Sequence, residues 1–139
     1  MGKTSRTKGA QAEREVARIL RESGAFPDAQ RDLDQTRGHD NGRDLIGTDT
    51  WVMQVKRRAK MTRGVVLRGL AEARSTVVAA SAAGDDSVVY TACIHRGDCE
   101  QWMVTTACIV IGSTLASCGV DATMTLDDFC NMVRSCDEL

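Results

Sequence analysis

Asp44 leads the apolar pair Leu45-Ile46, and after the polar stretch Gly47 to Thr50 the run Trp51-Val52-Met53-Gln54-Val55-Lys56 sets Gln54 and Lys56 on either side of Val55. Carboxylate and amide oxygens are hard donors, and Mg²⁺ favours one or two carboxylates together with water and substrate phosphate. A nearby ammonium orients a water and offsets the charge that builds on a phosphate under attack. Glu13, upstream, is a candidate second carboxylate. The set Glu13, Asp44, Gln54 and Lys56 therefore spells metal-assisted phosphodiester hydrolysis, with the first three as metal ligands and Lys56 assisting the attacking water.

These groups need elements that bring them together. Leu45-Ile46 and Trp51 to Val55 read as two strands of a hairpin around turn residues Gly47, Thr48, Asp49 and Thr50. Pairing Gly47 with Trp51 would set Asp44 opposite Gln54, with Cβ atoms about 4.5–5.5 Å apart. Strand alternation puts Gln54 and Lys56 on one face. Trp51, Met53 and Val55 then form the other, core-facing side. Val16, Ala17 and Leu20 recur at helical spacing and predict a helix from about Gly9 to Ser23, closed by Gly24. Glu13 lies three, four and seven residues before those apolar positions, so it projects toward the core, where a lone carboxylate is costly.

The rest of the chain supplies a frame. Residues 1–7 read as a basic N-terminal arm, and residues 8–139 as one domain. A short edge strand over Ala29 to Arg31 precedes a charged loop from Asp32 to Arg43, and Arg57 to Gly64 reads as a basic connector. A long helix is predicted from Val65 to about Ala83, then strands over Ser87 to His95 and Gln101 to Thr106 around the turn Arg96-Gly97-Asp98. Ala107 to Ser117 fits either helix or strand. Thr125 is placed as the N-cap of a last helix carrying Asp127 and Asp128 in its first turn, where acids suit the helix dipole. This order implies an α/β fold, a mixed β-sheet flanked by α-helices.

The net charge of −1 hides an asymmetry: sixteen of the eighteen basic residues precede Ser75, against ten of the nineteen acids. A basic half that also carries Asp44 and Lys56 points to a polyanion, DNA above all. Arg57, Arg58, Lys60 and Arg63 directly after the site, with Lys8, Arg31, Arg37 and Arg43, are the candidate DNA-binding residues. His39 sits among Gly, Asn and Asp, the setting of an exposed side chain rather than a general base. Glu72, on the long helix, reads either as a surface acid or as a substitute for a strand carboxylate. Six cysteines without short C-x-x-C spacing read as small buried apolar residues, a zinc site from Cys93, His95 and Cys99 being the alternative. With no signal peptide and no membrane-spanning run, a soluble cytoplasmic protein is expected.

Lys8-Gly9-Ala10-Gln11-Ala12-Glu13-Arg14-Glu15 resembles the K-G-x-x-x-E-R-E helix start of archaeal-type Holliday junction resolvases, within the PD-(D/E)-x-K nuclease superfamily. Asp44-Leu45-Ile46 resembles their P-D-h-h strand (h, apolar) and Gln54-Val55-Lys56 their E-x-K strand; Arg31 stands where their arginine precedes a loop over the active site. The resemblance covers about Lys8 to Lys60. It implies a restriction-endonuclease-like fold, Mg²⁺ (with Mn²⁺ as a substitute), Glu13 as a metal ligand, and a homodimer acting on branched, four-way DNA. Arg43 replaces the motif proline, and Gln54 replaces the usual Glu, removing one negative charge from the cation's surroundings. Some superfamily members carry Q-x-K and remain active. A restriction, homing or repair nuclease of ordinary duplex, or a DNA-binding module of the same fold with weakened catalysis, stays open, as does a viral or mobile-element origin.

Overall fold

The computed structural model describes residues 2–32, 43–111 and 114–136. Along them run α1 (Gly2–Ser23), β1 (Gln30–Arg31), β2 (Leu45–Ile46), β3 (Trp51–Arg58), α2 (Arg63–Ala82), β4 (Tyr90–Gly97), β5 (Met103–Ile111), β6 (Thr114–Thr125) and α3 (Leu126–Ser135). Four strands form one sheet in the order β3-β4-β5-β6, and β1 and β2 pair separately. Because β3 and β4 run parallel, with Lys56 beside His95, the chain must cross over between them, and α2 is that crossover. β4, β5 and β6 then alternate direction as a meander. The fold is mixed α/β, as expected.

Both faces of the sheet are covered. On one side the apolar stripe of α1 (Ala12, Val16, Ala17, Leu20) and Phe129 of α3 pack on Trp51, Met53, Val55, Ile94 and Val104. The Trp51 and Phe129 rings meet edge to face at 5.1 Å. Fully burying residues such as Leu20, Met53 and Ile94 is worth roughly 1.5–3 kcal/mol each against exposure. On the other side α2 sets Ala73 against Val52 and Val88, and Val66 and Leu70 against Cys93. Gly69 allows this approach, because a Cβ there would lie 2.7 Å from Cys93 Sγ and 3.3 Å from Lys56 Cε.

Several expectations need correcting. The N-terminal arm expected over residues 1–7 is helical from Gly2; no proline interrupts Lys3 to Lys8, and adding residues to a formed helix needs no second nucleation. β3 continues to Arg58, so Arg57 and Arg58 are strand rather than connector. The ambiguous segment Ala107 to Ser117 is strand on both sides of residues 112–113, and β6, absent from the expected elements, runs on to Thr125. Thr125 is the N-cap placed by sequence, its Oγ1 accepting from Asp128 N at 3.1 Å. Cys93, Cys108 and Cys130 are buried, but Cys99 is exposed on the β4–β5 turn with φ +64°. Among the described residues no three His, Cys, Asp or Glu side chains form a metal-holding group, so the zinc alternative for Cys93, His95 and Cys99 falls away. Arg37 and His39 lie outside the described residues.

Candidate active site

Glu13 is 8 % exposed on the sheet-facing side of α1, where the apolar spacing places it. Its partner is Arg31 of β1, whose Nε donates to Glu13 Oε1 at 2.7 Å. β1 is held in that position by β2: Arg31 pairs with Leu45, and Asp32 N donates to Asp44 O at 3.0 Å. Arg31 is thus turned inward onto a carboxylate rather than outward toward a polyanion.

The regular hairpin with Asp44 opposite Gln54 is not what forms. Gly47 (φ +73°) follows β2 so tightly against Asp28 that a Cβ would sit 2.0 Å from Asp28 O, and Trp51 N donates to Thr48 O at 3.0 Å to close the turn. β2 is cut to two residues and pairs with β1 instead. Asp44 N donates to Met53 O at 3.4 Å, and the carboxylate extends along the outer edge of β3 until Oδ2 accepts from Val55 N at 2.7 Å. Asp44 therefore lies beside Gln54 by a side-chain bond to the next residue, not by ladder register.

At that edge Asp44 feels the charges of both Glu13 and Lys56. Burial pushes its carboxyl up from 3.8 to about 7; the Val55 N–H opposes this, the Glu13 charge and a hydrogen bond with Glu13 add to it, and the Lys56 ammonium opposes it. The nearby Glu13 carboxylate disfavours the ionised form of Asp44, because like charges brought close in a buried setting repel without compensation. A divalent cation supplies that compensation, and the oxygens of Glu13 and Asp44 fit one on this ground.

Gln54 is 3 % exposed and stands beside Cys93 across the parallel pair. Burial raises the Cys93 thiol to about 12, which leaves it a neutral packing group. Lys56 projects from the same face as Gln54 and lies over Gly69, and its Nζ reaches both Glu72 oxygens, at 3.1 and 3.3 Å. Glu72 is a surface acid of α2 that faces the site. His95, one strand over, bonds Thr105 Oγ1 at 2.9 Å through Nε2, and burial lowers its pKa; it serves the sheet and takes no part with Asp44.

The candidate DNA-binding residues divide. Lys8, Arg57 and Arg58, with Gly9, Ala12, Val55 and Ala59, line a groove of about 590 Å³ between α1 and the end of β3, next to Glu13 and to the Val55 amide that holds Asp44. Lys60 and Arg63 are exposed on the connector and the first turn of α2, and Arg43 is half-buried beside Asp44. Sequence reasoning missed Asp98, on the β4–β5 turn, whose Oδ1 meets Lys8 Nζ at 3.3 Å and Arg57 Nη2 at 3.1 Å. Nothing local marks a contact between residues so far apart along the chain.

No protein-family model, curated protein or solved structure matches the chain. No helix among the described residues is long and apolar enough to cross a membrane.

Proposed function

We propose that this protein is a Mg²⁺-dependent endodeoxyribonuclease with a restriction-endonuclease-like core, acting on four-way DNA junctions as a homodimer. The observation that carries the reading is the Asp44 carboxylate held on the outer edge of β3 by the Val55 amide, within the electrostatic reach of both Glu13 and Lys56, with a Lys/Arg-lined groove beside it. The order α1-β1-β2-β3-α2-β4 with β3 and β4 parallel agrees with the fold that the resemblance implies. A C2 dimer suits a junction because it offers two equal sites to two symmetric strands.

Glu13, Asp44 and the Gln54 amide oxygen would hold the Mg²⁺, which when bound supplies Lewis acidity toward water and the scissile phosphate. Arg31 orients Glu13, and the Val55 amide orients Asp44 along the strand. Lys56 offsets charge developing on the phosphate and aligns the incoming water. Lys8, Arg57 and Arg58 hold backbone phosphates next to the cut. The test compares cleavage of a synthetic four-way junction with linear duplex of the same sequence, in Mg²⁺, for wild type, Asp44→Ala and Lys56→Ala. Junction cleavage lost in both variants supports the reading; preference for linear duplex removes the resolvase assignment.

A DNA-binding module with weakened catalysis is the second reading, favoured by Gln54 in place of an acid. Equal inactivity of wild type and Asp44→Ala at every Mg²⁺ and Mn²⁺ concentration, with DNA binding intact, would select it.

A further inference from the structure

Lys8 leaves α1 and Arg57 leaves β3 on the same side of the sheet, and their nitrogens converge on one oxygen, Asp98 Oδ1, at 3.3 and 3.1 Å. Two cations aimed at a single anionic oxygen form an arrangement that suits a non-bridging phosphate oxygen. The carboxylate now filling it belongs to an exposed turn rather than to the core: Asp98 is 42 % exposed, Lys8 35 % and Arg57 22 % as side chains. Its turn is short, closed by Glu100 N on Gly97 O at 3.2 Å, and Asp98 is tethered further by its own N–H on Ala59 O at 3.2 Å. The side chain can leave while the backbone stays. Lys8 precedes Glu13 by five residues, about 7.5 Å of helix rise, so the pair addresses a phosphate beside the one under attack rather than the same one.

We propose that Lys8 and Arg57 form a clamp for a DNA backbone phosphate flanking the scissile one, and that Asp98 occupies this clamp in the free protein and must be displaced by the DNA. The inference rests on the nuclease reading. Asp98 lowers the affinity of the groove for any polyanion, so that weak, non-specific contacts are discouraged while a substrate that fills the neighbouring contacts still binds. Its carboxyl is held below the usual carboxylate range by Lys8 and Arg57, so it remains a competing anion through the neutral pH range.

The experiment measures binding of the full-length chain to a fluorescein-labelled four-way junction by anisotropy, in EDTA so that nothing is cut, across a salt series. Asp98→Asn is expected to tighten binding by about fivefold at low salt, the scale of one exposed ion pair, and to steepen the slope of log K against log salt by about one. Asp98→Ser should do the same, and adding Lys8→Gln to Asp98→Asn should abolish the gain. Unchanged or weaker binding in both Asp98 variants, with circular dichroism of the wild type, overturns the proposal and makes Asp98 a strut that organises the two cations. If neither wild type nor Asp98→Asn binds DNA at low salt, the clamp and the nuclease reading both fall; if the wild type binds and Asp98 is without effect, the clamp alone does.

Discussion

Arg31 Nε sits 2.7 Å from Glu13 Oε1, with the two side chains only 14 % and 10 % exposed. Removing one member of such a buried pair leaves an uncompensated charge, which costs about 3–5 kcal/mol in a fully buried setting. Arg31→Ala is therefore expected to destabilise the metal-free protein by about 2–4 kcal/mol, and Arg31→Ala with Glu13→Gln by less than the sum of the two single changes. Urea unfolding of the four proteins in a double-mutant cycle measures this. Additivity within error would show that Arg31 does not hold Glu13.

Asp44 makes the metal-free protein sensitive to pH in a stated direction. Its folded value of about 7 lies above the ordinary 3.8, so the fold favours the protonated carboxyl. Stability from this group is fully present below about pH 4, declines as pH rises from 4 to 7, and is gone above 7. Asp44→Asn should flatten the profile over that window. In the proposed site Mg²⁺ pairs with the ionised Asp44 carboxylate, so it should raise the melting temperature more at pH 8 than at pH 5. Thermal melts over pH 4–9 with and without Mg²⁺ test both statements, and an equal Mg²⁺ effect at the two pH values would contradict them.

Gln54 lies buried within β3, and Gln54→Glu adds a third carboxylate beside Glu13 and the raised Asp44. Nuclease activity is expected to be kept or raised, while the metal-free variant loses about 1–3 kcal/mol and recovers it on Mg²⁺ addition. Assays of junction cleavage alongside melts decide this. Loss of activity with normal Mg²⁺ stabilisation would assign the amide N–H₂ a role of its own.

Gly69→Ala introduces a Cβ 2.7 Å from Cys93 Sγ and 3.3 Å from Lys56 Cε. Overpacking of this kind costs about 1–3 kcal/mol, and here it also moves the ammonium of Lys56. The variant should fold with reduced stability and cleave poorly. Adding Cys93→Ala, which clears the nearer clash, should restore stability more than activity; equal recovery of both would mean that Lys56 had not shifted.

The parts of this molecule that announce themselves are those written in local periodicity. Val16, Ala17 and Leu20 mark the buried face of α1, Trp51, Met53 and Val55 mark that of β3, and Thr125 with two following aspartates marks the start of α3. What escapes depends on distant partners. β6 is missed because Gly119 and Asp121 interrupt the alternation that would mark a strand, and its pairing with β5 (Thr105 with Thr123, Val104 with Met124) overrides that preference. The position of Asp44 beside Gln54 is legible, but the means is not: Gly47 packed on Asp28 decides that β2 is short. Gly69 and Asp98 carry no local signature, since each matters through a side chain from another element.

Alternation along β3 sorts two duties onto two sides of one strand: Lys56 faces α2 and Glu72, whereas Arg57 faces α1, Lys8 and Asp98. The pleat thereby works as a switch plate with no intermediate setting, since inserting one residue between Val55 and Lys56 would turn each cation to the opposite face. The two cations cannot trade sides gradually in such a chain; they are kept apart by the parity of a single strand.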